Sequence, residues 1–431
     1  MKLSKPALAI GSLLLAMIAP AQAVEAPVLS DIEQRVSAVE GHMIAWRRDI
    51  HQHPELSNQE HRTAKLVAEH LKKLGLEVKT GVGGTGVVGL LKGDLPGKVV
   101  ALRADMDALP VKELVDLPFA SKAKGKHMGK EVDVMHACGH DGHTAMLLGA
   151  AHLLSQQRNF GGTVHLIFQP AEEGGAGAKA MMEDGLFQRF ACQAVFALHN
   201  WPDLPQGQMA VRVGPIMAAN IRFEIRVRGK GGHAALPHTT RDPVPVACAI
   251  VTQLQTLVSR TLDPVDSAVL TIGKIEAGTV ENIIPNEAVL YGTLRTLRDD
   301  TQATLVAGIE RIAQHTAAAH ECQALYIHKP GYPNTTNSAA EAALMAQVMA
   351  EVVGPENTHP NIAPAMTSED FGFMLQQVPG AYGWIGNGKN GQRGTSLHHP
   401  GYDFNDDNIA LGARFWDTLA RRWLEQSSAS A

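Results

Sequence analysis

One short stretch, Met135-His136-Ala137-Cys138-Gly139-His140-Asp141-Gly142-His143, gathers a thiol, several imidazoles and a carboxylate. Cys138 and His140 are separated by one glycine, which lets the chain turn tightly enough for both to reach one metal ion. Three further places offer donors: Glu172-Glu173 ahead of Gly174-Gly175, His199 in Leu198-His199-Asn200-Trp201-Pro202, and His398 in His398-His399-Pro400-Gly401-Tyr402-Asp403-Phe404. Each has a plain structural explanation as well. A single His at a strand end is more often a polar cap than a ligand. A Glu pair before glycines is usually a solvated loop. Cys138 is either an inert buried thiol, a metal ligand, or a nucleophile with His140 as its base, and the Cys-Gly-His spacing does not choose. The Glu pair follows an apolar strand, however, so its repulsion there has to be offset by a cation or a shared proton.

The elements that must hold these residues read as α/β. Apolar residues at helical spacing run over Asp31 to Ile50 and over Glu60 to Leu74. Strands are expected at Gly86 to Leu91 and at Val99 to Arg103, the latter running into Ala104-Asp105-Met106-Asp107. A helix opens near Gly142 and runs to about Gln157. Thr163 to Phe168 and Ala194 to Leu198 are strands ending at the Glu pair and at His199. Strand ends are where α/β sheets bind ligands. The pattern changes near Gly214. Ile221, Phe223, Ile225 and Val227 alternate with Arg222, Glu224, Arg226 and Arg228, as in a half-exposed strand. A helix (Pro243 to Arg260), strands Ala268 to Ile275 and Ala288 to Thr296, a helix (Thr301 to Ala319) and a strand (Gln323 to His328) complete a β-α-β-β-α-β unit of ferredoxin-like size. From Gly331 the α/β pattern returns, with helices near Ala339 to Val353 and Asp407 to Leu424. The second unit therefore reads as an insertion: residues 24–213 and 331–431 form one domain and 214–330 the other. An exposed sheet edge in the inserted unit makes pairing of two chains plausible.

Composition agrees with two globular domains. The 431 residues are 45% hydrophobic and 19% charged, with a formal net charge of -5, and no run of one sign suggests a nucleic-acid groove or a polybasic membrane patch. Lys2 and Lys5, the apolar run Ala7 to Ala19, and Ala21-Gln22-Ala23 form an export signal, residues 1–23, with a mature start near Val24. The apolar run is too short for a stable membrane anchor. A secreted or periplasmic location follows. The four cysteines, Cys138, Cys192, Cys248 and Cys322, form no CxxC pair, and Cys248, in an apolar helical run, is expected to be buried.

Taken together and in order, His136 to His143, Glu172-Glu173, His199 and His398 resemble the M20 metallopeptidase family. The match is closest to its amidohydrolase branch of hippurate hydrolases, N-acetyl-amino-acid deacetylases and plant auxin-conjugate hydrolases. Further matching stretches are His51-Gln52-His53-Pro54-Glu55-Leu56, Arg103-Ala104-Asp105-Met106-Asp107-Ala108-Leu109-Pro110, Gly229-Lys230-Gly231-Gly232-His233-Ala234-Ala235, Asn282-Ile283-Ile284-Pro285 and Ser368-Glu369-Asp370-Phe371. The resemblance implies a mixed-sheet catalytic domain with an inserted lid that also pairs two chains. It implies Cys138, His140, Glu173, His199 and His398 as ligands of two divalent metal ions, with Cys138 as a bridging candidate. Such a set suits Mn, Zn, Co or Ni. It makes Glu172 the general base, taking a proton from the attacking water and passing it to the leaving amine. Asp107 would orient a ligand. His233 would reach the partner subunit's site and donate to the oxyanion. Asn286 and Arg295 would bind a substrate carboxylate. His399 beside His398 leaves the choice of ligand between them open, His398 being favoured.

The implied activity is hydrolysis of the amide bond of a small N-acyl amino acid. A metallo-exopeptidase acting on dipeptides would use the same centre with a different pocket. A cysteine hydrolase and a non-catalytic binding protein are the other readings; retention of every expected ligand and of Glu172 speaks against the last. Export has its own check. Protein from the periplasmic or culture fraction should begin at or near Val24 on N-terminal sequencing, and an intact Met1 on soluble cytoplasmic protein would contradict it.

Overall fold

The computed structural model describes residues 27–389 and 391–428. The expected export signal, residues 1–23, lies outside the described residues. The described chain opens with α1 (Pro27–Gln52) and α2 (His61–Lys73). It continues through β1 (Glu77–Val82), β2 (Gly86–Lys92), β3 (Leu95–Asp105), α3 (His140–Gln156), β4 (Gly161–Gln169), β5 (Ala194–Trp201) and β6 (Met209–Ala210). A second group follows: β7 (Ala219–Arg228), α4 (Pro243–Thr256), β8 (Ala268–Ala277), β9 (Glu287–Thr296), α5 (Asp299–Ala319) and β10 (Gln323–Pro330). The chain then returns with α6 (Ala339–Val353), β11 (Thr358–His359), β12 (Gly380–Gly386) and α7 (Asp407–Ser428).

The larger sheet has eight strands in the order β1-β2-β4-β3-β5-β12-β6-β11. Its centre, β4, β3, β5 and β12, is parallel, and β1 and β2 form an antiparallel edge. Both faces are covered. On β3, Val100, Leu102 and Ala104 enter the core built with α1, α3 and α7, whereas Ala101 enters the core on the opposite face. Side chains alternate along a strand, so Arg103 and Asp105 project on Ala101's side. The same parity sets Gln169 beside Ile167 on β4, and His199 beside Val195 and Ala197 on β5. Three adjacent parallel strands thus deliver polar side chains at their C-terminal ends, all on one face.

Arg103 holds that face together. It is buried, and its guanidinium donates to Gln169 (2.8 Å), Asp105 (2.8 Å), Glu369 (2.9 Å) and Asp370 (3.3 Å). Burial alone would lower its pKa, but Glu369, Asp105 and Asp370 reverse the effect and raise it. A buried cation is tolerable only when paired in this way.

The smaller sheet has the order β8-β9-β7-β10, all antiparallel, with its own apolar core. By position along this segment the strands lie fourth, first, third, second, the ferredoxin-like arrangement. Ile221, Phe223, Ile225 and Val227 are buried against Val246, Ile250 and Leu254 of α4 and Leu305 and Ile309 of α5, while the alternate residues of β7 face away.

Several details differ from expectation. The first strand of the smaller sheet, expected over Ile221 to Arg228, begins at Ala219, whereas Gly214–Met217, counted with the inserted unit, pairs with Thr335–Asn337 of the returning chain. α3 begins at His140, two residues before the expected Gly142, which places His140 in its first turn. β12 had no counterpart in the sequence reading. Its glycines are atypical of strands, and a Cβ on Gly383 would lie 2.7 Å from the tip of Met349 and 2.9 Å from Met345 Sδ of α6. Cys248 is exposed, not buried, since it falls on the outer side of α4 between the inward-facing Ala247 and Ile250. Among the described residues, no helix is long and apolar enough to cross a membrane.

Arg103→Met removes the charge but keeps the bulk, and leaves three buried carboxylates unbalanced. It should destabilise the protein by about 3–5 kcal/mol in chemical denaturation, the usual cost of breaking a buried pair. A loss below about 1 kcal/mol would show that Arg103 is not the anchor of this face.

Candidate metal centre

The expected ligands converge in a cleft of ≈ 830 Å³ between the two sheets, lined by Cys138, Glu172, Glu173, His199 and His398. Cys138 enters through a tight turn. Gly139 has φ 89°, and a Cβ there would lie 2.3 Å from Asn200 Nδ2 and 2.5 Å from the Tyr402 hydroxyl, so only glycine fits. His140 Nδ1 donates to the Asp107 carbonyl (2.8 Å), which turns Nε2 toward Glu173 (3.9 Å). His199 Nδ1 donates to the Asn200 carbonyl (2.7 Å) and leaves Nε2 at 3.5 Å from Cys138 Sγ. Donor atoms of Cys138, His140 and Glu173 all lie within 4.8 Å of one another. His398 Nε2 sits 3.0 Å from Glu173 Oε1, with its backbone in the left-handed region (φ 64°) and its N–H bonded to the Ala137 carbonyl. His399, by contrast, accepts from Gly401 N (2.9 Å) within its own turn. Of the two histidines, His398 is the one that meets Glu173.

These residues fit a divalent cation. His140 Nε2 is buried without a hydrogen-bond partner, a cost that coordination removes. Burial would lower the His140 pKa, yet Asp105 and Asp107 outweigh it and raise it to about 10. The surroundings therefore demand positive charge where the imidazole points. Thiolate, imidazole and carboxylate together are a donor set for borderline divalent metals. His143 stands close by, grouped with Asp105, His140 and His199. Both of its nitrogens are engaged, Nδ1 with Asp105 (2.7 Å) and Nε2 with the Asn200 N–H (2.9 Å), so it orients its neighbours and has no lone pair to give. Burial pushes the Cys138 thiol well up, and Glu173 and Glu172 add to the effect. A thiol so placed ionises against a cation rather than against a histidine base, which weakens the cysteine-nucleophile reading.

The loop carrying the Glu pair is tied down at almost every amide. The Ala171 N–H donates to Glu60 (2.9 Å), those of Glu172 and Glu173 to Asp107 (3.1 and 3.0 Å), those of Gly174 and Ala176 to the Tyr332 hydroxyl (2.8 and 3.3 Å), and that of Ala178 to Asp370 (2.8 Å). Ala171 and Ala176 are both left-handed, at φ 52°. An alanine pays for such a backbone, so the side-chain ties must supply the compensation. Glu172 is buried beside Glu369 and Asp370. Burial, then Glu369, Glu173 and Asp370, hold its pKa well above the usual carboxylate range.

Asp107 makes several of these contacts at once: one carboxylate contacts His140 (3.2 Å), accepts from Ser57 (2.6 Å) and receives both Glu amides. Arg295 lines the cleft, with Arg222 and Lys329, and donates to Ser368 (2.7 Å). Asn286 sits outside its own chain's cleft. Its Oδ1 accepts from Gly231 N (2.9 Å) and its carbonyl from Gly229 N (2.9 Å), so within one chain it shapes the His233 loop and does not line the cleft. His233 is exposed and likewise outside its own chain's cleft. Asp105, Asn200 and Tyr332 were not singled out. Asp105 stands in a stretch quoted for the resemblance, whereas nothing in the spacing marks Asn200 or Tyr332.

Metal content reads this geometry directly. Cys138→Ala and His140→Ala should each lower bound divalent metal by elemental analysis, whereas His399→Ala should leave it unchanged. Full metal in Cys138→Ala, or loss in His399→Ala, would show the donors to be misassigned.

Comparison with known proteins places this geometry. The chain is 40% identical over 387 residues to the hippurate hydrolase of Campylobacter jejuni, covering 90% of this chain and 98% of that one. It is 38% identical over 400 residues to the N-acetyl-L-cysteine deacetylase of Bacillus subtilis, covering 92% and 91%. The crystal structure of the Bacillus subtilis YXEP protein, described as a dinuclear metal-binding peptidase from the M20 family, superposes with a TM-score of 0.78 at 35% identity, covering 90% of this chain and 99% of that one. Residues 101–422 match the family described as Peptidase family M20/M25/M40, a span that runs from β3 into α7 and includes every donor in the cleft, and the chain belongs to that family.

Proposed function

We propose that the chain is a metal-dependent amidohydrolase that cleaves the amide bond of small N-acyl amino acids, with Glu172 as general base. The observation that carries this reading is the cleft itself: donors for a divalent metal on one wall, Glu172 beside them, and Arg222 and Arg295 on the other. A hydrolase for N-acyl amino acids has to bind a free carboxylate, and a guanidinium's planar fork suits that task. Leu109, Trp201, Met217 and Leu397 line the same cleft and offer an apolar seat for an acyl group. The named activities of the two relatives support the same substrate class.

The reading takes two divalent ions per chain. It is supported by the donors around Cys138: His140 and Glu173 group with it and His199 Nε2 lies 3.5 Å from its sulfur, so Cys138 would be the candidate to serve both ions. A divalent ion held there supplies Lewis acidity toward a carbonyl oxygen and toward water. Glu172 removes the proton from the attacking water as the new C–O bond forms, and returns it to the nitrogen as the C–N bond breaks. Burial and the neighbouring Glu369, Glu173 and Asp370 raise its pKa, which favours the stage at which it holds the proton between water and the leaving nitrogen. His233 acts on the partner subunit's site in a homodimer paired through the smaller sheet. Its Nδ1 accepts from the Ala235 N–H (3.0 Å), which puts the ring proton on Nε2, a donor for an oxyanion. Export with removal of residues 1–23 completes the proposal.

Glu172→Gln keeps the shape of the side chain but cannot take a proton. With N-acetyl- or N-benzoyl-amino acids as substrates it should retain metal while kcat falls roughly 10²-fold or more. Wild-type turnover would remove the base assignment, and wild-type preference for dipeptides would favour the exopeptidase. Mixing Glu172→Gln chains with His233→Ala chains should restore part of the activity, because a mixed dimer holds one site with both residues intact. No recovery in demonstrably mixed dimers would remove the trans role of His233.

A further inference from the structure

The chain passes between the two sheets twice, once entering β7 at Ala219 and once leaving β10 after Pro330. The two passages are bonded together. Asn220 N donates to the Tyr332 carbonyl (3.0 Å), Gly331 N to the Asn220 carbonyl (2.9 Å), and Tyr332 N to Asn220 Oδ1 (2.7 Å). The approach is so close that a Cβ on Gly331 would fall 1.7 Å from Asn220 Oδ1. Tyr332 projects from this crossing into the cleft, its ring edge-on to Phe373 at 6.2 Å. Its hydroxyl donates to the Glu172 carbonyl (2.5 Å) and accepts from Gly174 N and Ala176 N.

We infer that Tyr332 is a positioning residue for Glu172, holding the loop of the base from the chain crossing between the two sheets. The loop needs such a support. Asp107 satisfies its first amides and Asp370 its last, but the middle, where Gly174 (φ 89°) and Ala176 leave the regular turn, is held by Tyr332. The tie to the Glu172 carbonyl is the one side-chain donor bond made to that residue's backbone among the described contacts. Asp107 and Tyr332 thereby grip the same residue from opposite peptide groups, its N–H and its C=O. The Tyr332 bond comes from the inter-sheet passage, so a change in how the two sheets sit would reach the Glu172 peptide through this hydroxyl.

This inference rests on Glu172 as the base, and the test separates the two. Tyr332→Phe deletes the hydroxyl and keeps the ring against Phe373. In the metal-loaded enzyme, kcat should fall roughly 10-fold or more while KM and metal content stay within about twofold. In the Glu172→Gln background the same change should cost less than about twofold, because two residues acting through one step are not additive. Hydrogen exchange at Gly174 and Ala176 should quicken in Tyr332→Phe, and this can be read even if turnover is low. Wild-type kcat in Tyr332→Phe with an inactive Glu172→Gln would overturn the Tyr332 role alone. Equal losses in both backgrounds, or loss of metal in proportion to rate, would overturn it too. Wild-type kcat in Glu172→Gln would overturn the base assignment and this inference with it.

Discussion

Everything at the C-terminal ends of the parallel strands answers to one electrostatic constraint, the crowding of buried carboxylates beside the cleft. Asp105, Asp107, Glu172, Glu369 and Asp370 are all buried there, with Glu173 partly so. Two like charges about 4 Å apart at an effective dielectric near 20 repel by about 4 kcal/mol, comparable to a large fraction of a domain's whole stability. The fold meets this from two sides. Beneath the cleft, Arg103 binds Asp105, Glu369 and Asp370. In the cleft, the charge left on Glu173 and around His140 is what a divalent ion neutralises. The inner carboxylates can then act as hydrogen-bond acceptors that aim ligands, and Asp105 fixes His143 while Asp107 fixes His140 and the Glu pair.

The same constraint explains why adjacent glutamates take different roles. Successive residues of a regular strand would point to opposite faces. Here the backbone leaves the strand at Gln169 and turns through left-handed Ala171, so Glu172 and Glu173 reach the same cleft by different routes. Glu173 faces His140 and His398, and Glu172 faces Glu369 and Asp370. One is surrounded by groups that draw in a cation. The other is surrounded by carboxylates that favour its protonated form, as a proton carrier requires.

Much of this was legible because its signals are local. Alternation in Ile221 to Arg228, the apolar runs ending at Glu172 and His199, and the Cys-Gly-His turn each depend on a few neighbouring residues, and they located β7, β4, β5 and the start of the donor set. What escaped depends on partners distant along the chain. β12 is a strand because β5 offers it a parallel ladder along its whole length, a fact that its own glycine-rich sequence conceals. Asn286 follows a matching stretch, but its place outside its own chain's cleft, with Oδ1 accepting from Gly231 N, depends on the loop that it holds. The choice between His398 and His399 turned on a left-handed backbone that no spacing reports. Tyr332 meets Glu172 across 160 residues.

The division into two sheets has a physical rationale of its own. Each sheet packs its own core, so neither wall of the cleft has to be packed by the other. Separate cores free both walls: the larger sheet carries the metal donors and carboxylates, and the smaller one presents Arg222 and Arg295. The walls then suit a ligand whose neutral amide meets the metal donors at one end while its carboxylate meets Arg222 and Arg295 at the other. That benefit depends on keeping the walls in register. The Asn220–Gly331 crossing, too tight for any side chain at Gly331, supplies the stiffness, and Tyr332 extends it to the peptide that holds Glu172.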